Sequence, residues 1–164
     1  EQSAISFRYN SQRGASELYL NGENIEKEIR SMTVATYVSE VAKIPQVRAY
    51  LVNLQRQIGD QKGIVMDGRD IGTVVFPEAE LKIFMTASEQ IRAQRRFEEL
   101  QQKGEEVSYE QVLKNIQERD YQDTHRTESP LQKAEDAIEI DNSDTTVIEV
   151  VSHIVQLAQE KIKA

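Results

Sequence analysis

Three groups of residues in this chain have the types and spacing to do chemistry. The first is Asp67, Gly68, Arg69 and Asp70, which follow the apolar run Ile64–Met66 with no spacer. An arginine offers a planar fork that matches a phosphate, and a carboxylate accepts from an exocyclic amine or a sugar hydroxyl. Gly68 between them lets the backbone turn sharply and approach a ligand. The same four residues can also close on themselves as an Arg–Asp pair that satisfies a turn, and alone they leave both readings open. The second group is Arg119, Asp123 and Arg126, at i, i+4 and i+7, so one helical face holds all three. There the aspartate can hold two guanidinium groups toward a phosphate or sugar, or the three form a solvated ladder. The third group, Arg92, Arg95 and Arg96, falls on neighbouring faces of one helical stretch, an arrangement that by itself usually means a solvated surface.

Composition narrows the ligand. The 164 residues carry 28 acids against 20 bases, a net charge of −8, which argues against a nucleic-acid polymer as partner. A local arginine cluster in an acidic protein still suits a small anion. With no cysteine there is no disulfide scaffold or thiolate metal site, and with only His125 and His153 a histidine metal centre is not expected. No metal-ligating residues are therefore assigned. No apolar run is long enough to span a membrane and no signal peptide opens the chain, so a cytoplasmic protein with no membrane partner is expected.

The elements that must position these groups can be read in order. Ile5, Phe7 and Tyr9 alternate with Ser6, Arg8 and Asn10 as in a strand with one wet face. Asn21-Gly22 is a hairpin signal, so residues 4 to 25 read as an antiparallel meander with a short third strand. Residues 31–58 read as two helices broken near Lys43–Pro45. Ile64–Met66, Leu81–Met85 and residues 137–141 read as three core strands. Between the last two come a helix capped by Thr86 or Ser88 and stopped by Gly104, and another capped by Ser108. A final amphipathic helix covers Val147 to Ile162. Strand–helix alternation after residue 60 implies a parallel sheet flanked by helices, and ligands of such sheets bind at the carboxyl ends of the strands. The Asp67–Asp70 group lies at such an end.

The segments GIVMDGRDIGTVVFPEAELKIFMTAS, RAQRRFEELQQKG and ERDYQDTHRTESPLQKAEDAIEIDNS resemble, in order and spacing, the bacterial cytidylate kinases. The front of the chain, ELYLNGENIEKEIR and SEVAKIPQVRAYLVNLQR, is similar to that family's enlarged nucleotide-binding insert and the helices after it. The resemblance implies an α/β nucleoside monophosphate kinase fold. Residues 1–30 would be the monophosphate-binding insert and residues 31–164 the core, with a mobile lid at about 101–109. It implies transfer of the ATP γ-phosphoryl group to CMP or dCMP with Mg²⁺, and the intact protein is expected to be a monomer. Carried over by position, Ser39, Arg48 and Asp70 would contact the cytosine, and Asp123 with Arg119 would lie near the pentose and phosphates. Arg69 and Arg126 would face phosphate, and Arg95 and Arg96 would approach ATP. Residues 141–143 resemble the loop near the adenine.

The sequence holds no G-x-x-x-x-G-K-[ST] phosphate loop, which the family places in a strand–loop–helix unit at its start. The expectation is therefore a C-terminal portion of a cytidylate kinase, catalytically incomplete as it stands, with the intact form as the enzyme. A CMP-binding module without catalysis, or an interaction domain that keeps only the fold, are the alternatives.

Overall fold

The computed structural model describes residues 5–60 and 62–163, with the side chains of Met32 and Ser39 outside the described residues. The chain divides into two compact units, Glu1–Ala42 and Lys43–Ala164.

In the first unit, β1 (Ile5–Asn10), β2 (Ala15–Leu20) and β3 (Glu23–Asn24) form an antiparallel sheet in the order β1-β2-β3. Asn21 and Gly22 have φ of 54° and 87°, the paired positive values that a two-residue hairpin turn requires. A short 3₁₀ turn, Glu28–Arg30, leads into α1 (Met32–Ala42).

The second unit opens with α2 (Pro45–Gly59), where proline sits at the helix start and its missing N–H costs nothing. The break expected at residues 43–45 is thus where α1 gives way to α2. β4 (Ile83–Thr86) pairs in parallel with β5 (Ile138–Asp141), Ile83 lying opposite Ile138. Between them, α3 (Glu89–Gln102) and α4 (Tyr109–His125) pack on each other. Ser88 caps α3 by accepting from the Ile91 amide, and Ser108 and Gln111 form a reciprocal capping box on α4. Gly104 turns the chain between these helices at φ 76°. α5 (Val147–Lys163) closes the unit. Val75, Ala93, Leu100, Val112, Ile140 and Val150 are its buried apolar residues. Among the described residues no helix is long and apolar enough to cross a membrane.

One expected element is not a strand. Residues 62–67 belong to no helix or strand, Lys62 and Gly63 having φ of 55° and 65°, and Val65 is fully exposed. An apolar run becomes a strand only where a neighbour accepts its backbone bonds, and the parallel sheet described here is β4 with β5 alone. A single π-helical turn, Ile71–Val75, follows four residues later.

Candidate functional site

Asp70 begins the π-helical turn and sets its geometry. Its carbonyl accepts from the amides of Val74 at 2.9 Å and Val75 at 3.2 Å, while its own φ and ψ, −137° and 21°, lie outside the helical and strand regions. Gly68 is needed just before it for packing: a Cβ there would come 2.8 Å from the Ile71 side chain. Gly68 thus serves the close return of its own chain, in keeping with the sharp turn read from the sequence.

Asp70 is buried, 8% exposed, and its carboxylate is paired with the Arg48 guanidinium from α2. Arg69 turns the other way and donates from Nε to Asp123 Oδ2 at 3.1 Å. The local Arg69–Asp70 pair, one of the two readings of this tetrapeptide, is therefore not what forms. Each residue reaches a partner far along the chain.

Asp123 sits near the end of α4, only 4% exposed, and is a hub for three guanidinium groups. Besides Arg69, Arg119 lies 3.7 Å from its Oδ2 and Arg126 lies 3.6 Å from its Oδ1. This settles the second group against a solvated ladder, since the Arg126 side chain is also only 6% exposed. The chain after α4 folds back to hold the hub. The Leu131 amide donates to the Asp123 carbonyl at 2.7 Å, and Arg126 Nε donates to the Ser129 carbonyl at 2.7 Å.

The two acids and four arginines form one electrostatic neighbourhood. Burial, and then the charge of Arg48, lower the pKa of Arg126 against the opposing pull of Asp123 and Asp70. Burial and the charge of Arg69 do the same to Arg119, with Asp123 opposing. Guanidinium groups stay charged in such settings, so the direction reports first their burial and then their crowding by other guanidinium groups. Arg119 Nε and Arg126 Nη2 are buried with no hydrogen-bond acceptor among the described residues. Buried donors left without acceptors cost stability unless a ligand supplies one. Four arginines against two aspartates leave two positive charges, which a phosphate dianion would neutralise.

The third group is distributed differently. Arg92 donates to the Ala87 carbonyl at 3.0 Å and pairs with Asp120 at 2.7 Å, tying α3 to α4. Arg95 grips the loop after β5, donating to Asn142 Oδ1 at 2.8 Å and to the Asn142 carbonyl at 2.7 Å. Arg96 pairs with Glu99 at 2.8 Å, and its charge is felt at Arg119. Ser39 lies in α1 of the first unit, its side chain outside the described residues. Among the described residues no group of three His, Cys, Asp or Glu side chains is placed to hold a metal ion.

Arg56, which no sequence pattern had singled out, proves to touch the site's framework. It donates from Nε to the Val75 carbonyl at 3.1 Å and from Nη2 to the Val74 carbonyl at 2.6 Å. Only its place on the same helix as Arg48, eight residues on, could have hinted at this.

Residues 2–160 match the family model described as cytidylate kinase. The chain is 59% identical over 159 residues to a cytidylate kinase of Flavobacterium johnsoniae, an alignment covering 97% of this chain and 69% of that one. It is 65% identical over 142 residues to a cytidylate kinase of Flavobacterium psychrophilum, covering 87% of this chain and 63% of that protein. A cytidylate kinase of Parabacteroides distasonis is 58% identical over 145 residues, with 88% of this chain and 63% of that protein covered. The chain thus spans roughly two thirds of the length of these relatives. With the matched region running through both buried aspartates and all four of their arginines, the chain belongs to the cytidylate kinase family.

Proposed function

We propose that this chain carries the acceptor side of a cytidylate kinase, the part that binds CMP or dCMP and presents its phosphate to ATP. The observation that carries the reading is the buried guanidinium excess around Asp123, with Arg119 Nε and Arg126 Nη2 lacking hydrogen-bond acceptors among the described residues, beside the Arg48–Asp70 pair. Arg69, Arg119 and Arg126 take the CMP phosphate, and Asp123 keeps them aimed by holding each one from the side away from it. Asp70 accepts from the cytosine 4-amino group, and Arg48 donates to the ring's carbonyl or N3. Uracil places a carbonyl where that amine stands, so it sets an acceptor against an acceptor and leaves Asp70 without a donor.

In the reaction an oxygen of the CMP phosphate attacks the γ-phosphorus of ATP, and the bond from that phosphorus to the β,γ-bridging oxygen breaks, giving CDP and ADP. The nucleophile is already an anion, so no strong general base is required. The protein's work is to bring two anions together and stabilise the shared charge, for which several convergent arginines suffice in kind. Arg95 and Arg96 are assigned to the ATP side, in the cytoplasm where both nucleotides are made. Mg²⁺ accompanies ATP on its phosphates and supplies charge neutralisation there. Because the sequence holds no Gly-Lys-Ser/Thr phosphate loop, the chain as given is expected to bind CMP without turning it over.

Calorimetric titration of the folded chain tests this. CMP is expected to bind about 10- to 100-fold more tightly than UMP, the range that one charged hydrogen bond commands. A folded chain that binds neither nucleotide at millimolar concentration would leave an interaction domain as the reading. Binding of CMP together with ATP-dependent CDP formation would show the chain to be a complete kinase.

A further inference from the structure

α2 grips the π-helical turn at both ends. At the start of the turn, Arg48 pairs with the Asp70 carboxylate. Toward its end, Arg56 takes the carbonyls of Val74 and Val75, at 2.6 Å and 3.1 Å. These are the carbonyls that a one-turn helix leaves without intrahelical amides. Next along the chain, Gly59 lies so close to Phe76 that a Cβ would overlap its ring, so the end of α2 packs tightly on the residue that follows the turn. A π turn is a less stable winding than an α turn and persists where its surroundings hold it, often at functional sites. Without Arg56 the segment's amides at Val75 and Phe76, which reach five residues back to the carbonyls of Asp70 and Ile71 at 3.2 Å and 2.7 Å, can rewind to tighter bonds. Asp70 is the residue that such rewinding would displace first, since its carbonyl receives the amides of both Val74 and Val75.

We infer that Arg56 is a positioning residue for base recognition: by capping the π turn it fixes where the Asp70 carboxylate stands relative to Arg48. The inference rests on the reading of Asp70 as the cytosine acceptor. It assigns Arg56 no contact with nucleotide, and no part in holding phosphate, because Asp123 and its arginines hang on α4 and on Arg69, outside the turn.

The test compares wild type, Arg56→Gln and Arg56→Lys in the full chain. Affinities for CMP, UMP and ribose 5-phosphate are measured beside hydrogen exchange at residues 74–76. Arg56→Gln is expected to lower CMP affinity about tenfold, the effect of losing one charge-assisted hydrogen bond's worth of order. UMP and ribose 5-phosphate should change less than about twofold. The amides of residues 74–76 should exchange faster while those of α3 keep their protection. Lysine, which reaches one carbonyl, should recover part of the CMP affinity. Equal losses on all three ligands, or undisturbed protection at residues 74–76, would overturn the inference. Should wild type fail to distinguish CMP from UMP, the reading of Asp70 is what fails, and the exchange data still decide whether Arg56 holds the turn.

Discussion

Glu17 and Glu26 in the first unit and Asp70 and Asp123 in the second are all buried, between 4% and 8% exposed, yet they are served by different numbers of cations. Glu17 accepts from Arg13 at 3.0 Å and from the side-chain amides of Asn10 and Asn24 at 3.1 Å and 3.0 Å. Glu26 accepts from Arg30 at 2.5 Å and from the Leu18 amide at 3.1 Å. Each glutamate thus has one arginine, and the rest of its lone pairs go to neutral donors. That is charge balance in the service of a hairpin. Asp70 pairs with Arg48, but Asp123 gathers three arginines, and two of the buried guanidinium nitrogens have no hydrogen-bond acceptor among the described residues. The lesson is that burial of an acid does not mark a site. An unbalanced stoichiometry with unspent donors does.

The sharpest way to break this contrast is to remove the hub. Asp123→Ala removes the one carboxylate that pairs with Arg69, Arg119 and Arg126 together, leaving Asp120 and Asp70 as the opposing charges near Arg119 and Arg126. It should cost about 3 kcal/mol of unfolding free energy, the scale for stranding a buried charge. Urea unfolding measures it, and inorganic phosphate should restore more stability to the variant than it adds to wild type. A neutral substitution would show that the arginines are solvated enough not to need Asp123. Asp70→Ala separates the two halves of the site. If Asp70 accepts from the base as proposed, CMP affinity should fall about 100-fold, whereas ribose 5-phosphate should lose less than about twofold. Equal losses would make Asp70 part of the scaffold only.

The residues whose partners lie close in sequence were legible from the start. Ser88, Ser108 and Gly104 mark helix ends, Pro45 marks the break, and Asn21-Gly22 marks the hairpin, because caps and turns depend on the few residues beside them. The site itself was not legible in this way. Asp70 pairs across 22 residues and Arg69 across 54, and no local rule chooses those partners over a turn closed on itself. The resemblance to cytidylate kinases, not spacing, brought Arg48 and Asp70 together. Ile64–Met66 failed for the complementary reason, since its strand character needed a neighbour that the described sheet does not provide. Glu17 and Glu26 passed unnoticed because a glutamate in a wet hairpin looks like surface until the fold encloses it.

A smaller effect should come from Arg126→Lys, which keeps the charge but gives up the fork. Lysine cannot both hold the Ser129 carbonyl and aim a second donor at the phosphate, so ribose 5-phosphate affinity should drop about tenfold with stability little changed. No loss would mean that Arg126 acts as a point charge.

The smallest effect belongs to the balanced side of the contrast. The hydrogen bond from Arg30 holds the Glu26 pKa below the ordinary glutamate range. Burial opposes the shift, and the Leu18 amide and the charge of Arg30 reinforce it. A carboxyl whose folded pKa lies below its unfolded one contributes stability that is present above the unfolded value, about 4.3, and lost as pH falls through the folded value. Thermal unfolding of the full chain should therefore show the first unit weakening below about pH 4, and Glu26→Gln should flatten that acid limb. At neutral pH the substitution should cost about 1 kcal/mol, the worth of an ordinary hydrogen bond. Neither phosphate nor CMP should alter the acid limb, because Glu26 has its full complement of donors within its own unit. An acid limb that moved with added phosphate would mean that the meander's charges, balanced as they are, also serve the ligand.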